Sequence, residues 1–201
     1  MKKIKVDLKA ENILITSGSQ QGLDFSAKIF INPGDVIICE SPSYLGAINA
    51  FKAYEPRFVE VETDDEGMIM EKLEEALKEN ENVKFIYVIP DFQNPSGKTW
   101  SLERRKGLVE LANKYNVAII EDNPYGELRF EGEILPAVKH FDTEGRVVFL
   151  GTFSKIFCPG LRLGWVAADG EVLNKYILVK QGADLQSSTI SQMEVAKFLE
   201  I

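Results

Sequence analysis

The chain has 201 residues, 45% of them hydrophobic and 27% charged, with 15 glycines and 8 prolines, a composition that excludes collagen-like, low-complexity and disordered chains. With 31 acidic against 23 basic residues the net charge is −8, so no broad basic face for nucleic acid is expected. Two distant cysteines, Cys39 and Cys158, and one histidine, His140, exclude a Cys/His metal site and a disulfide framework, and no run approaches the ~18 apolar residues of a membrane span.

His140 lies in a polar stretch without a nucleophile motif beside it, which argues against a Ser-His-Asp triad. The start, Met1-Lys2-Lys3-Ile4-Lys5, is charged but is not followed by an apolar signal core. A soluble, cytoplasmic protein of a reducing compartment is expected, with no membrane and no nucleic-acid partner.

In chain order, Ile13–Thr16 reads as a short strand. From Ser19 to Ile31, Leu23, Ala27, Phe30 and Ile31 share one helical face, and Asn32-Pro33-Gly34-Asp35 ends that helix. Val36–Cys39 is an apolar strand, followed by a helix from Tyr44 to Ala53 and a strand from Arg57 to Val61. Thr63–Gly67 is a polar turn, and Met68–Glu79 a helix with Met70, Leu73 and Leu77 inward. Its outward Glu71, Glu74, Glu75 and Lys78 form a solvated face, Glu74 and Lys78 at the favourable i,i+4 spacing. Strand Val83–Ile89, helix Ser101–Tyr115 and strand Val117–Ile120, ending in Glu121-Asp122, come next. Arg146–Gly151 and Gly164–Ala168 are further strands, and the chain is helical from Gly170. Alternating strands and helices with continuous apolar strands imply one α/β domain, its mostly parallel sheet covered on both faces by right-handed crossovers.

Such sheets bind ligands at the carboxyl ends of their strands. Four of those ends carry small, polar or ionisable groups. The first is Ser17-Gly18-Ser19-Gln20, where a helix N-terminus favours a phosphate, although Ser19 is equally suited to capping the helix. The second is Pro90-Asp91-Phe92-Gln93-Asn94-Pro95-Ser96-Gly97, which also carries ordinary turn signals. In the third, Glu121-Asp122-Asn123-Pro124-Tyr125, Asp122 sits just past an apolar strand and can pair with a protonated ring nitrogen or serve as a turn residue. The fourth is Gly151-Thr152-Phe153-Ser154-Lys155. Neighbours that partly desolvate Lys155 would lower its pKa and free an amine nucleophile, while Arg162, in the loop that follows, has the planar fork to clamp a phosphate. Each fragment also fits a surface or turn role, but their ordered combination is what a phosphorylated pyridine aldehyde requires.

Ser17-Gly18-Ser19-Gln20-Gln21-Gly22-Leu23, Phe92-Gln93-Asn94-Pro95-Ser96-Gly97, Glu121-Asp122-Asn123-Pro124-Tyr125 and Thr152-Phe153-Ser154-Lys155, followed by Pro159-Gly160-Leu161-Arg162-Leu163-Gly164-Trp165, give the chain its resemblance to the class I/II aminotransferases of fold type I. The wording is closest to the 2-aminoadipate and kynurenine branch. The resemblance implies a three-layer α/β/α sandwich with a mostly parallel, seven-stranded type of mixed sheet. It also implies the cofactor pyridoxal 5'-phosphate (PLP), no metal, amino acid and 2-oxo acid substrates, and a homodimer.

By the same resemblance, Lys155 carries the Schiff base and moves the substrate Cα proton, and Asp122 keeps the pyridine nitrogen protonated. Tyr125 and Asn94 hydrogen-bond the ring oxygen, and Tyr44, after Glu40-Ser41-Pro42-Ser43, stacks on the ring. Gly18, Ser19, Gln20, Thr152, Ser154 and Arg162 hold the phosphate, Ser154 being the one that can also face away. Residues 1–201 correspond to the PLP-binding large domain, without the N-terminal arm and C-terminal small domain of the family. Little activity is therefore expected of this stretch alone. The donor is an aminoadipate, aromatic or branched-chain amino acid, and 2-oxoglutarate is the expected acceptor. Two other readings stay open: an aminotransferase-like effector domain of a winged-helix transcription regulator, and a PLP-dependent β-lyase.

Overall fold

The computed structural model describes residues 5, 6 and 8–200, so the charged start at Met1–Lys5 lies outside them except for Lys5. Eight strands form one sheet: β1 (Ile13–Thr16), β2 (Val36–Ser41), β3 (Arg57–Asp64), β4 (Gly67–Met68), β5 (Val83–Val88), β6 (Ala118–Asp122), β7 (Val147–Thr152) and β8 (Gly164–Ala167). Their spatial order is β1-β8-β7-β6-β5-β2-β3-β4. Neighbours among β3, β2, β5, β6 and β7 pair in parallel, whereas β8 runs antiparallel to both β7 and β1. Seven strands thus form the expected mixed sheet, and the two-residue β4 adds an eighth by pairing back onto β3.

That hairpin corrects the expectation of a helix starting at Met68. Gly67 takes φ +113°, open to glycine but costly for other residues, and its missing Cβ leaves room for the Trp100 ring. The backbone therefore pairs at Gly67–Met68, and the helix starts two residues later.

Among the described residues six α-helices cover the sheet: α1 (Ser19–Phe30), α2 (Leu45–Lys52), α3 (Met70–Glu79), α4 (Leu102–Tyr115), α5 (Gly170–Ala183) and α6 (Thr189–Leu199). Strand alternation sorts the core into two faces. Ile37, Cys39, Phe85, Tyr87, Ile120 and Leu150 pack with α1, α2 and α5. Ile38, Ile86, Val88, Ile119 and Val147 pack with α3 and α4. Val195 of α6 buries against Phe149, Phe153 and Trp165. This is the expected three-layer arrangement, each fully buried apolar side chain contributing about 1.5–3 kcal/mol. No helix among the described residues is long and apolar enough to cross a membrane.

The topology brings the active strand ends together. Thr16, Gly164 and Thr152 are paired across β1, β8 and β7, and Asp122 opposes Leu150 on the adjacent β6. Because β8 runs backwards, its first residue meets the last residues of its neighbours at the same edge.

Candidate active site

A cleft of about 350 Å³ opens at that edge. Ser19, Gln20, Tyr44, Asn94, Asp122, Tyr125, Thr152, Ser154, Lys155 and Arg162 line it, so ten of the eleven candidate residues converge. The eleventh, Gly18, lies buried beneath Arg162. His140 is exposed on a short 3-10 helix, its Nδ1 2.7 Å from the Lys5 carbonyl, and is not part of the cleft wall.

Strand alternation explains why only one of two adjacent acids reaches the cleft. Asp122 is the last residue of β6 rather than a residue beyond it, and lies on the Tyr87 side of the sheet. The Tyr87 hydroxyl donates to Asp122 Oδ2 at 3.1 Å, while Asp122 Oδ1 is buried and has no partner among the described residues. Burial pushes the Asp122 carboxyl up to about 7, partly opposed by the Tyr87 bond. Glu121 faces the opposite layer, where its two oxygens accept the Val138 and Lys139 backbone N–H groups at 2.8 Å each. Burial also pushes Glu121 up to about 7.

The anion end is built from backbone. Gly18 is the N-cap of α1 with φ +82°, and Ser19 is the first helical residue. Ser19 therefore does not cap the helix, and it lines the cleft at the helix start, where the first N–H groups lack intrahelical acceptors. A Cβ at Gly18 would sit 2.5 Å from Arg162 Nη2, so glycine is what lets the guanidinium lie over the turn. Arg162 Nη1 donates to Ser154 Oγ and to the Pro159 carbonyl at 3.2 Å each, which turns Ser154 inward. Thr152 Oγ1 accepts from the Ser154 N–H at 3.1 Å. The Gln20 amide is committed to the Gly46 carbonyl at 2.8 Å, leaving its backbone N–H as the group for an anion.

At the cleft mouth Lys155 is exposed, its Nζ 5.9 Å from the centre of the Tyr125 ring. Its side chain is exposed rather than enclosed by its sequence neighbours, because the chain leaves the sheet edge after Thr152 and carries Lys155 over the opening. Tyr44 caps α2, and Gly46 leaves space for its ring. Burial, with the negative charge of Asp122 nearby, raises the Tyr44 hydroxyl above its ordinary value.

Three supporting features escaped the sequence reading. Tyr87 is one. Glu40 is the second: it is buried, accepts the Ile89 N–H and the Trp100 indole at 2.8 Å each, and is pushed up to about 7 by burial. The third is Arg105, fully buried on α4 and forked onto Asp91. Its signal was present: Arg105, Leu108, Val109 and Ala112 follow the i, i+3, i+4, i+7 spacing of a buried stripe.

The residues fit a phosphorylated pyridine. A buried acceptor oxygen lacks a partner at one end, and a glycine cradle under a guanidinium lies at the other.

A sequence model of the family described as Aminotransferase class I and II matches residues 1–200. The chain is 51% identical over 199 residues to Aromatic-amino-acid aminotransferase 1 of Thermococcus litoralis, a match covering 97% of this chain and 48% of that protein. The crystal structure of LysN, an alpha-aminoadipate aminotransferase from Thermus thermophilus complexed with N-(5'-phosphopyridoxyl)-L-leucine, superposes with a TM-score of 0.92 at 41% identity, over 96% of this chain and 50% of that one. A Bacillus subtilis protein described as the uncharacterized HTH-type transcriptional regulator YisV is 35% identical over 199 residues, covering 99% of this chain and 41% of that protein. The chain spans about half the length of the curated relatives it matches.

Proposed function

The chain belongs to the class I and II aminotransferases, and from that premise we propose that its cleft binds PLP and serves amino-group transfer from an amino acid to a 2-oxo acid. We read the 201 residues as the cofactor-binding large domain of the enzyme. The observation that carries this reading is the unpartnered buried Asp122 Oδ1 in the same cleft as Lys155 and the Gly18–Arg162 cradle.

When bound, the pyridine ring supplies an electron sink for charge developing at a substrate Cα. Each residue then has a defined task. Asp122 Oδ1 accepts a hydrogen bond from the ring nitrogen and favours its protonated form, while Tyr87 fixes the carboxylate through Oδ2. Tyr125 and Asn94 would donate to the ring oxygen, and Tyr44 would stack on the ring face. Arg162, Ser154, Thr152, Ser19 and the backbone N–H groups after Gly18 hold the phosphate, and the α1 dipole assists them. Lys155 Nζ would be the amine that holds the cofactor and would move the proton at the substrate Cα as base and then acid. Its exposed place at the mouth leaves the amine free to do both. The donor is proposed to be an aromatic or aminoadipate-type amino acid, with 2-oxoglutarate as acceptor.

The test compares visible spectra of the parent and Lys155→Ala with added PLP, before and after borohydride reduction. The expected result is an absorbance band in the parent only, with the reduced adduct mapped to Lys155. Identical weak spectra, or adducts scattered over surface lysines, overturn the site assignment. The likeness to YisV supports a second reading, an effector domain in which PLP serves sensing. Conversion of an amino donor to its 2-oxo acid by the whole protein separates the two.

A further inference from the structure

Arg105 lies outside the cleft, yet it is joined to both loops that enter it. Its guanidinium forks onto Asp91, with Nη2 2.8 Å from Oδ1 and Nη1 3.1 Å from Oδ2. The remaining donors go to backbone carbonyls: Nη2 to Pro90 at 3.0 Å, Nη1 to Pro136 at 3.0 Å and Nε to Trp100 at 3.3 Å. All five N–H directions of the side chain are thus engaged. Asp91 opens the loop that carries Asn94. Its Oδ2 also accepts from Asn123 Nδ2 at 3.1 Å, and Asn123 Oδ1 accepts the Gly126 N–H at 2.9 Å. Asn123 stands between Asp122 and Tyr125, and its own N–H bonds to the Leu150 carbonyl at 2.9 Å.

We propose that Arg105 is a positioning residue for the cofactor site, holding the Asn94 loop and the Tyr125 loop in one fixed relation through Asp91 and Asn123. The proposal rests on the cofactor reading above for its consequence in catalysis. The linkage itself stands on the hydrogen bonds. Two side features agree with it. A Cβ at Gly126 would meet Asn123 Oδ1 at 2.3 Å, so glycine there permits the last link. Arg129, whose guanidinium lies 4.9 Å from the centre of the Phe92 ring, approaches Asp91 Oδ1 at 3.8 Å, within ion-pair range but too far for a hydrogen bond. As placed, it makes no hydrogen bond to Asp91.

Loops positioned by a buried fork should loosen when the fork is removed, even if the charge remains. Arg105→Lys keeps the cation and loses the planar geometry. Asn123→Ala cuts the relay and leaves the ion pair. Val109→Ala makes a cavity on the same buried stripe of α4 and controls for general loss of stability.

Two readouts are taken on the whole chain. The first, amide hydrogen exchange without cofactor, should show the amides of Gln93, Asn94, Ser96, Gly97 and Gly126 exchanging about tenfold faster in Arg105→Lys than in Val109→Ala. The second is the pH midpoint of the bound cofactor's visible absorbance. It should shift in Arg105→Lys and Asn123→Ala in the direction that Tyr125→Phe shifts it, and stay in place in Val109→Ala. Exchange and midpoint in Arg105→Lys no different from Val109→Ala would overturn the proposal. If the parent forms no specific absorbance band, the cofactor reading has failed on its own terms, and the exchange data alone decide whether Arg105 sets the loops.

Discussion

The two ends of the cleft are built on opposite principles. At the ring end Asp122, and behind it Tyr87, Asp91, Asn123 and Arg105, are buried and, but for one carboxylate oxygen, bonded to one another or to backbone. At the mouth, Lys155 is exposed and makes no side-chain hydrogen bond among the described residues, while Arg162 reaches only Ser154 and a carbonyl. The buried end is completed by folding. The exposed end keeps its donors free for a ligand. Under the proposed function, orientation would be fixed where a small displacement matters most, and the covalent step would fall where the amine can move.

The largest effect should come from the buried end. Arg105→Met leaves Asp91 buried beside a side chain without donors, and should cost about 3–5 kcal/mol in urea unfolding. A loss below ~1 kcal/mol would mean that water or Arg129 compensates, and the contrast between the two ends would weaken.

A second break uses pH. Asp122, Glu121 and Glu40 are each held near 7 in the folded chain, above ordinary values of 3.8 for Asp and 4.5 for Glu. Between those limits the folded state binds more protons than the unfolded state. The stability these groups contribute is therefore full below the ordinary values and is lost as pH rises through about 7. Unfolding free energy should fall from pH 5 to pH 8. Asp122→Asn removes one buried charge, so it should flatten that fall and gain ~1–3 kcal/mol at pH 8. An unchanged slope would place Asp122 in a wetter site than its burial indicates. The same substitution should weaken PLP binding, which makes Asp122 a residue kept for function at the expense of stability.

Sequence legibility follows this division. Gly18, Lys155, Arg162 and Asp122 stand at strand ends in local motifs, so chain order alone was enough to collect them. The core strands were legible from apolar runs; the helix placed from Ser101 starts at Leu102, with Ser101 as its cap, whose Oγ accepts the Arg104 N–H at 3.4 Å. What escaped depends on distance in sequence. Tyr87 meets Asp122 only because β5 and β6 pair in a register that sets Tyr87 against Ile120, two residues before the acid on the same face. Glu40 meets Trp100 across 60 positions. Arg105 was readable as a charge on an apolar stripe, but its partner Asp91 was not. The exposure of Lys155 was missed because flanking apolar residues say nothing about where a chain leaves a sheet. The β4 hairpin was missed because a Met following Gly also suits a helix start.

Gly18→Ala sharpens the anion end with a smaller effect. Its φ of +82° disfavours a side chain, and the new Cβ would press on Arg162 Nη2. Stability should drop by about 1 kcal/mol. Phosphate and PLP should lose affinity together, since both need the guanidinium over the turn. Retained phosphate affinity, measured by calorimetry, would move the anion site away from this cradle.

The smallest expected effect is the most discriminating. Lys155→Ala should change urea stability by less than ~0.5 kcal/mol, because the side chain is exposed and unbonded among the described residues. Its distance of 5.9 Å from the Tyr125 ring is near the outer limit of a cation–π contact and adds little at an exposed site. The same substitution should abolish the covalent PLP adduct. A residue without a stabilising role whose loss removes one spectroscopic signature is what a free amine at the rim requires. If Lys155→Ala instead destabilised the fold by more than ~1 kcal/mol, the lysine would be part of the packed frame. The separation between a frame completed by folding and a mouth completed by ligand would then fail at the residue on which it depends most.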